Sequence, residues 1–292
     1  MDTKYLHTFV TIADCGSMAE AARRLDLTPA AIAAQVKALE EFLGTEIFRR
    51  SGRTVVPTES GLKILTQARE LLRGVRDLQA NASNDEPIGE LQLGVSVTAL
   101  TSILPPLLKK LFSQFPKLAI HIEPGTSSHL YHKVSTRVLD AAFIVEPQFE
   151  LPKSCTWSPI IDEELLVLAP EGFIGQDPIE LLRTEPFIRY DRGMWGGQLA
   201  DNYLRSRKIK PNERIEIDSL NAIAAFVNQG LGVALVPNWS GPWQEGLKII
   251  KMVLPPPVPA RTIGLIWSNQ GPRASLSETI LKYATEITGI KK

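Results

Sequence analysis

Residues 16–44 carry the caps and small residues of two short helices joined by a tight turn. Ser17 is a favourable N-cap, and the apolar residues after it recur at helical spacing on one face. Thr28 caps a second helix that starts at Pro29, where a missing amide hydrogen costs nothing, and ends at Gly44, a left-handed stop. Because alanines let the helices approach closely and the outer face of the second helix stays free, the pattern predicts a helix-turn-helix. The positions predicted to be buried are Ala21, Ala22, Leu25, Ile32, Val36, Leu39 and Leu43.

A short hairpin is predicted directly after the second helix. Ile47-Phe48 and Val55-Val56 read as two strands around a Ser-Gly turn, so the hairpin carries Arg49, Arg50 and Arg53. Arginines beside a helix-turn-helix suit phosphate or minor-groove contact, because a guanidinium matches phosphate oxygens and a narrow groove favours positive charge. A solvated loop is the alternative.

These motifs resemble the N-terminal winged helix-turn-helix of LysR-type transcriptional regulators. The resemblance continues in Leu139-Asp140-x-Ala142 and from Ile217 to Pro237, so it spans the chain. It implies an α/β fold class: a winged helix-turn-helix and linker helix, then a periplasmic-binding-protein-like effector domain of two α/β subdomains. The implied partners are double-stranded operator or promoter DNA, a small-molecule effector, further copies of the chain in a dimer or tetramer, and RNA polymerase; no cofactor is implied. The motifs that carry it are Gly16-Ser17-Met18, Ala21-Ala22-x-x-Leu25, Thr28-Pro29-Ala30-Ala31-Ile32, Gln35-Val36, Leu39-Glu40-x-x-Leu43-Gly44, Phe48-x-Arg50-x-x-Arg53 and Thr58-x-x-Gly61.

The predicted DNA contacts lie on the second helix, on the caps and on the hairpin. The family usually begins this helix with Ser-Gln-Pro-Ala-Val-Ser, whereas several polar positions are methyl groups here. Ala33 and Ala34 can touch a thymine methyl but cannot hydrogen-bond a base edge, so base readout should rely on apolar contacts and DNA shape. Residues 1–60 hold seven basic and eight acidic side chains, so tight binding also requires charge segregation and two paired copies. The predicted DNA-binding residues are Ser17, Thr28, Pro29, Ala30, Ala33, Ala34, Gln35, Lys37, Arg50 and Arg53.

A proline-free, helix-forming stretch runs from Thr58 to about Asn81. Its apolar residues alternate spacings of four and three, the a/d pattern of a coiled-coil seam. We expect a linker helix that pairs two subunits, because so wide a stripe before a hinge has little else to bury against. A helix packed only on its own chain is the alternative. The stripe comprises Ile64, Ala68, Leu71, Val75 and Leu78, widened by Leu62, Leu65 and Leu72.

Strands alternate with helices beyond a predicted hinge at residues 84–89, which combine acids, proline and glycine. This order predicts βαβ units and a parallel sheet covered by helices. The predicted strands are Leu91–Val95, Ala119–Glu123, Ala141–Val145, Leu165–Ala169, Pro186–Tyr190, Arg214–Ile217 and Val233–Val236; the predicted helices are Leu100–Gln114, Ser128–Arg137, about Gly197–Arg207 and Leu220–Gln229.

The domain limits follow by analogy with the family. The DNA-binding domain is expected at residues 1–60, the linker helix and hinge at 61–87, and the effector domain at 88–292. Within the effector domain, subdomain I would combine 88–162 with 262–292, and subdomain II would be 163–261. The two crossings are expected near residues 162–163 and through the proline run at 255–259.

Several hydroxyl residues follow strands and begin helices in the effector region. Helix N-termini present amides with partial positive charge, so they suit an anionic ligand in a cleft between subdomains. Arg192 would add a counter-charge and Trp195 a flat apolar surface, which predicts a small carboxylate effector, with an aromatic ring as an option. Plain N-capping of the helices and core packing of Trp195 are the alternatives. The predicted effector-binding residues are Ser96, Thr98, Thr126, Ser127, Tyr190, Arg192, Trp195 and Ser219.

Composition narrows the class of protein. The 292 residues are 44% hydrophobic and 22% charged with a formal net charge of zero, which is ordinary for a soluble protein of two or more domains. The N-terminus lacks the features of an export signal and no apolar run reaches membrane-spanning length, so we expect a cytoplasmic protein without a membrane partner. Cys15 and Cys155 lack the spacing of a redox pair, and His121, His129 and His132 lack matching metal ligands, so inert thiols and solvent-facing histidines are favoured.

Two other classes of function compete with a regulator. A small-molecule solute-binding protein would account for residues 90–292, but it needs an export signal and leaves the arginine hairpin without a role. An enzyme finds little support, because the chain has no Gly-x-Gly-x-x-Gly, phosphate loop, Gly-x-Ser-x-Gly elbow or nucleophile–base spacing. No catalytic or metal-binding residue is therefore predicted.

Overall fold

The computed structural model describes residues 2–51, 54–82, 89–241, 243, 246–269 and 273–289. The chain divides into two compact units, Met1–Asp85 and Glu86–Lys292. Within the described ranges, every helix is too short or too polar to span a bilayer.

The first unit is a winged helix-turn-helix that continues into a long helix. Ser17 Oγ accepts a hydrogen bond from the Glu20 amide at 3.4 Å, and Thr28 Oγ1 accepts one from the Ala31 amide at 3.2 Å, so both predicted N-caps are confirmed. Gly44 ends the third helix at a φ of 69°, a conformation that favours glycine. The elements are α1 (Thr3–Cys15), α2 (Met18–Arg24), α3 (Pro29–Leu43), β1 (Phe48–Ser51), β2 (Thr54–Pro57) and α4 (Glu59–Ala82).

The core of this unit joins the first three helices to the start of α4. Phe9 and Ile32 are fully buried, and α4 contributes Ala68, which is 2% exposed. Leu43, predicted to be buried, is instead 36% exposed, because it lies in the last turn of α3 beyond Leu39, where the core ends. Part of the apolar stripe of α4 belongs to this core, because Ile64, Leu65, Ala68 and Leu72 pack on their own chain.

Gly61 accounts for the last motif of the first unit. A Cβ atom on this residue would lie 2.2 Å from the carbonyl oxygen of Ile47. Only glycine therefore lets the first turn of α4 approach the segment that enters the hairpin so closely.

The second unit is a mixed α/β structure. The predicted helix over residues 100–114 forms in two pieces that meet at Ile103, because Pro105 and Pro106 occupy the first turn of the second piece, where their missing amide hydrogens cost nothing. The elements are β3 (Gly89–Ser96), α5 (Val97–Ser102), α6 (Leu104–Gln114), β4 (Leu118–Gly125), α7 (Ser127–Ser135), β5 (Ala141–Val145), β6 (Cys155–Pro170), α8 (Pro178–Thr184), β7 (Pro186–Tyr190), α9 (Trp195–Ser206), β8 (Asn212–Ile217), α10 (Leu220–Asn228), β9 (Ala234–Pro237), β10 (Ile249–Val253), β11 (Ala260–Ser268) and α11 (Ala274–Thr288).

The strands form one large sheet and one small one. The large sheet has the order β10-β6-β11-β5-β3-β4, with β9 also paired to β6, while β7 and β8 form the small sheet. β3 is parallel to β4 and β5, and β7 is parallel to β8, as the predicted βαβ units require. The sheet is not parallel throughout, however, because β6, β9, β10 and β11 pair antiparallel.

The antiparallel strands connect two hydrophobic cores. One core surrounds β3, β5 and β11 and is covered by α6 and α11; the other lies around the second half of β6, β9 and α9. β6 runs without interruption through Asp162 and Glu163, and β11 pairs with it from Ala260 onward. The predicted hinge at 84–89 lies outside the described residues except for Gly89, where β3 begins.

Candidate functional site

The outer face of α3 carries most of the predicted DNA-binding residues. The side chains that α3 exposes on this face are small and apolar, with Lys37 as the exception. Lys37 Nζ lies 3.8 Å from Glu41 Oε1 in a solvent-exposed pair. The predicted residues that are exposed here are Thr28, Pro29, Ala30, Ala33, Ala34 and Lys37.

Two other predicted DNA-binding residues are directed at the protein itself. Gln35 is half-buried, and its Oε1 accepts a hydrogen bond from the hydroxyl of Thr8 on α1, which is 1% exposed. The hydroxyl of Ser17 is used as the cap of α2. These two residues are therefore not part of the exposed face of α3, because the polar atom of Gln35 joins α3 to α1 and that of Ser17 caps α2.

The hairpin is attached to α3 by an acidic side chain. Glu40 Oε1 accepts hydrogen bonds from the amide of Ile47 at 2.9 Å and that of Phe48 at 3.4 Å. Arg50, opposite Val55 in the hairpin register, is exposed. Arg53 lies outside the described residues.

The second unit contains a cavity of about 730 Å³, part of it open to solvent. It lies at the carboxyl ends of β3, β4, β7 and β8, where α/β sheets commonly bind ligands. The structure brings six of the eight predicted effector-binding residues to its wall: Ser96, Thr98, Thr126, Ser127, Tyr190 and Trp195.

A buried ion pair lies beside this cavity. Arg261 lines the wall and is 3% exposed, and its Nε donates a hydrogen bond to Glu163 Oε2 at 2.8 Å, with a second contact from Nη2 to the same oxygen. Nη2 also donates to Thr98 Oγ1 at 3.3 Å, and Glu163 Oε1 accepts from the Ser240 amide at 3.4 Å. Because Glu163 lies on β6 and Arg261 on β11, this ion pair joins the two crossing strands beside the cavity.

The hydroxyl groups of the wall differ in whether they already have a hydrogen-bond partner. Thr126 caps α7, and Ser127 Oγ accepts a hydrogen bond from the Val145 amide at 3.0 Å. Ser96 is 8% exposed, and its Oγ has no hydrogen-bond partner among the residues that the structure describes. An unpaired buried hydroxyl is costly, so Ser96 is the group best prepared to meet a polar ligand.

The opposite wall combines aromatic rings with an acid. The hydroxyl of Tyr190 is buried, which raises its pKa; nearby Arg261 acts against this shift, while the charges of Glu163 and Asp218 reinforce it. Asp218 lines the cavity just after β8, and Trp239 lines it after β9.

Arg192 and Ser219 do not line the cavity. Arg192 Nη2 donates hydrogen bonds to Glu213 Oε2 and Glu216 Oε2, both at 2.9 Å. Its positive charge is therefore paired with two carboxylates of β8. The contact lowers the pKa of Glu216 to about 2. Ser219 is the N-cap of α10 and accepts from the Ala222 amide at 3.3 Å.

The residues of this site that were not predicted from the sequence include Arg261, Glu163, Asp218 and Trp239. The available signal was a charged residue at each crossing, since Glu163 lies at the first and Arg261 follows the proline run of the second. Elsewhere, His129 Nε2 lies 3.2 Å from Glu123 Oε1, and the described residues contain no group of three or more His, Cys, Asp or Glu side chains that could hold a metal ion.

Comparison with known proteins identifies the family. Residues 3–62 match the family model described as bacterial regulatory helix-turn-helix protein, lysR family, and residues 84–288 match the LysR substrate binding domain. The second match alone covers more than half of the chain. The chain belongs to the LysR family. It is a DNA-binding transcriptional regulator of that family, with a helix-turn-helix domain and a substrate-binding-like domain.

Curated relatives of this LysR regulator are themselves regulators. The HTH-type transcriptional regulator CzcR of Bacillus cereus is 28% identical over 238 residues, covering 81% of this chain and 80% of CzcR. The HTH-type transcriptional regulator IlvY of Escherichia coli is 29% identical over 244 residues, covering 81% and 82%.

Solved structures of LysR proteins share the fold. A full-length variant of OxyR from Pseudomonas aeruginosa has a TM-score of 0.71 at 26% identity, covering 97% of this chain and 94% of OxyR. Full-length CbnR in complex with its target DNA has a TM-score of 0.67 at 20% identity, covering 97% and 100%. At that identity, the second likeness shows the fold alone.

Proposed function

We propose that a small effector with a carboxylate group binds in the cavity and thereby controls how this LysR regulator binds DNA. The observation that carries the proposal is the unpaired, buried Oγ of Ser96, which lines a cavity that also contains Arg261. Hydroxyl and guanidinium donors are suited to carboxylate oxygens. A solute-binding protein without DNA-dependent function is not favoured, because residues 3–62 match the helix-turn-helix model.

Apolar surface in the same cavity supports an effector with an apolar body. Trp195, Trp239 and Met194 line the wall, and aromatic residues supply large contact areas. The proposed ligand therefore combines one anionic end with an aliphatic or aromatic portion.

The proposed division of labour follows the limits expected from the family: residues 1–60 bind DNA, 61–87 link and pair subunits, and 88–292 bind the effector. Subdomain I would comprise 88–162 and 262–292, and subdomain II 163–261. The two hydrophobic cores joined by β6 and β11 support that division. An effector that prefers one arrangement of the subdomains would shift the population toward it.

The exposed face of α3 is proposed to enter the major groove, with Arg50 and Arg53 contacting phosphates or the minor groove. Ala30, Ala33 and Ala34 would then meet the bases through methyl groups. Exposure of this face, and of Arg50 beside it, supports the assignment.

Pairing of two α4 helices is proposed through the part of the stripe that does not pack on its own chain. Leu71 is 56% exposed and Leu78 is 70% exposed. The double variant Leu71→Asp/Leu78→Asp should convert the dimer to a monomer in sedimentation velocity. Leu62, predicted to widen the stripe, instead lies nine residues, or half a turn in angle, from Leu71 on the opposite face of α4. Because it is 59% exposed there, Leu62→Asp is the matched control. A double variant that still dimerises would contradict the proposal.

The regulator and its effector can be tested together. Thermal shift of the full chain against a panel of organic acids should identify a stabilising ligand, because a ligand bound only by the folded state raises the melting temperature. The same ligand should change the gel shift of DNA from upstream of the protein's own gene, and Ser96→Ala should weaken its effect on both measurements. Binding to no genomic fragment, with or without acids, would contradict the function.

A further inference from the structure

Asp218 places a negative charge in the cavity that a simple carboxylate effector does not explain. Its side chain lies between the end of β8 and the N-cap of α10 and lines the wall. Asp218 is exposed, and within the described part of the chain no cationic side chain lies within ion-pair distance of it. The carboxylate therefore remains available to a ligand in the cavity.

The positive charge in the cavity is already balanced. Arg261 is paired with Glu163, and the Glu163 side chain is 1% exposed. Arg261 contributes one positive charge, and Glu163 and Asp218 contribute two negative charges, so their formal sum is −1. A ligand that brought only a carboxylate would raise this imbalance to −2, whereas a zwitterion, whose ammonium group offsets its own carboxylate, would leave it at −1.

The donors and the acid come from different sides of the cavity. Ser96 and Thr98 end β3 and begin α5, whereas Asp218 follows β8. The Tyr190 hydroxyl is close enough to both Arg261 and Asp218 to be influenced by the charge of each. One small ligand with an anionic and a cationic end could thus reach both sides.

We propose that the effector is a zwitterion, an α-amino acid with an apolar side chain, whose ammonium group binds Asp218. Its carboxylate would bind Ser96 and Thr98 beside Arg261, and its side chain would pack on Trp195. This inference rests on the proposed effector function and adds the chemical class of the effector.

Asp218 also has a plain structural role that the experiment must separate from binding. An acid just before a helix interacts favourably with the positive end of the helix dipole, so Asp218→Asn should slightly destabilise α10 whatever the ligand is. A ratio of two ligand affinities on the same folded variant does not respond to that loss.

The test compares amino acids with acids that lack only the amino group. Three matched pairs are titrated into the full-length protein by calorimetry: L-leucine and 4-methylpentanoate, L-phenylalanine and 3-phenylpropionate, and L-tryptophan and indole-3-propionate. For at least one pair, the amino acid should bind about ten- to a hundredfold more tightly, the range for a hydrogen bond to a charged group. Asp218→Asn should reduce that preference several-fold, because the ammonium group loses its counter-charge and keeps only a hydrogen bond to the amide oxygen.

Glu180→Gln provides the matched control for charge, because it removes an exposed acid from α8, which does not line the cavity. Its preference for the amino acid should equal that of the wild type. Equal binding of both members of every pair, binding of the acids alone, or an unchanged preference in Asp218→Asn would overturn the zwitterion and leave the carboxylate effector standing. If neither these ligands nor the wider panel of organic acids binds, the proposed effector function fails as well.

Discussion

Trp195 and Phe149 meet edge to face, with ring centroids 5.6 Å apart and planes at 81°. Tyr131 on α7 completes the cluster, with its ring 4.9 Å from that of Phe149. Because Trp195 begins α9 and also lines the cavity, the cluster joins the cavity wall to elements that pack on β5. Effector binding against Trp195 would therefore alter the packing of its ring on Phe149.

The aromatic contact should have a measurable coupling energy. In a double-mutant cycle with Trp195→Leu and Phe149→Leu, we expect about 0.5–1.5 kcal/mol of coupling, the range for aromatic pairs beyond their area. Denaturant unfolding of the four proteins measures it. A coupling near zero would show that the two rings are independent.

The buried pair of Arg261 and Glu163 should be more costly to break than to replace. Glu163→Gln leaves a buried guanidinium without its counter-charge, so we expect a loss of about 3–5 kcal/mol in the free energy of unfolding. The double variant Glu163→Met/Arg261→Met should recover much of that loss and still fail to respond to effector. Urea unfolding measures the stability of both variants, and thermal shift measures the response of the double variant to effector. A double variant less stable than Glu163→Gln would contradict the expectation that the pair costs more to break than to replace.

The contact between Arg192 and Glu216 should make stability depend on acid pH. The pKa of Glu216 falls from the usual 4.5 to about 2 in the folded protein. As the pH is lowered, the unfolded chain therefore takes up the proton first. The contribution is therefore complete above about pH 4.5 and is lost as the pH falls toward 2. Because the Glu216 side chain is 38% exposed, solvent screening limits it to about 1 kcal/mol or less. Glu216→Gln should flatten the curve of stability against pH in this window, and Glu180→Gln should not.

The hydrogen bond from Thr8 to Gln35 should stabilise the DNA-binding unit. Thr8→Val keeps the shape of the side chain but leaves the Gln35 amide without its donor, at a cost of about 1–3 kcal/mol. Thr8→Ser retains the hydroxyl and should preserve most of the stability. Chemical unfolding followed in the N-terminal unit compares the two; a loss in Thr8→Ser with none in Thr8→Val would mean that the methyl group, and not the hydrogen bond, matters.

Arg50 should contribute a phosphate contact. Arg50→Ala is expected to weaken DNA binding and to reduce the slope of log affinity against log salt by about 0.9, the value for one phosphate contact. Fluorescence anisotropy across a salt series measures the slope. Lys109→Ala, an exposed residue of α6, removes the same charge from the other unit and should leave the slope unchanged.

Local patterns were sufficient for most of the elements and for six residues of the cavity wall. Ser17, Thr28 and Gly44 mark helix ends through bonds within a few residues, so their roles follow from spacing. Ser96 and Tyr190 were found in the same way, because residues at the carboxyl ends of parallel strands meet at one edge of a sheet.

Long-range pairing decided what the sequence could not. Arg192 and Arg261 look alike as isolated arginines, but folding pairs Arg192 with β8 and places Arg261 at the cavity, beside a glutamate 98 residues earlier in the chain. Likewise, the Gln35 amide is directed to Thr8, 27 residues away. The sequence by itself therefore determined the family and the helix caps, and the caps depend on contacts between near neighbours. Only the tertiary structure decided which charges face the ligand, because that depends on partners that folding brings together from distant parts of the chain.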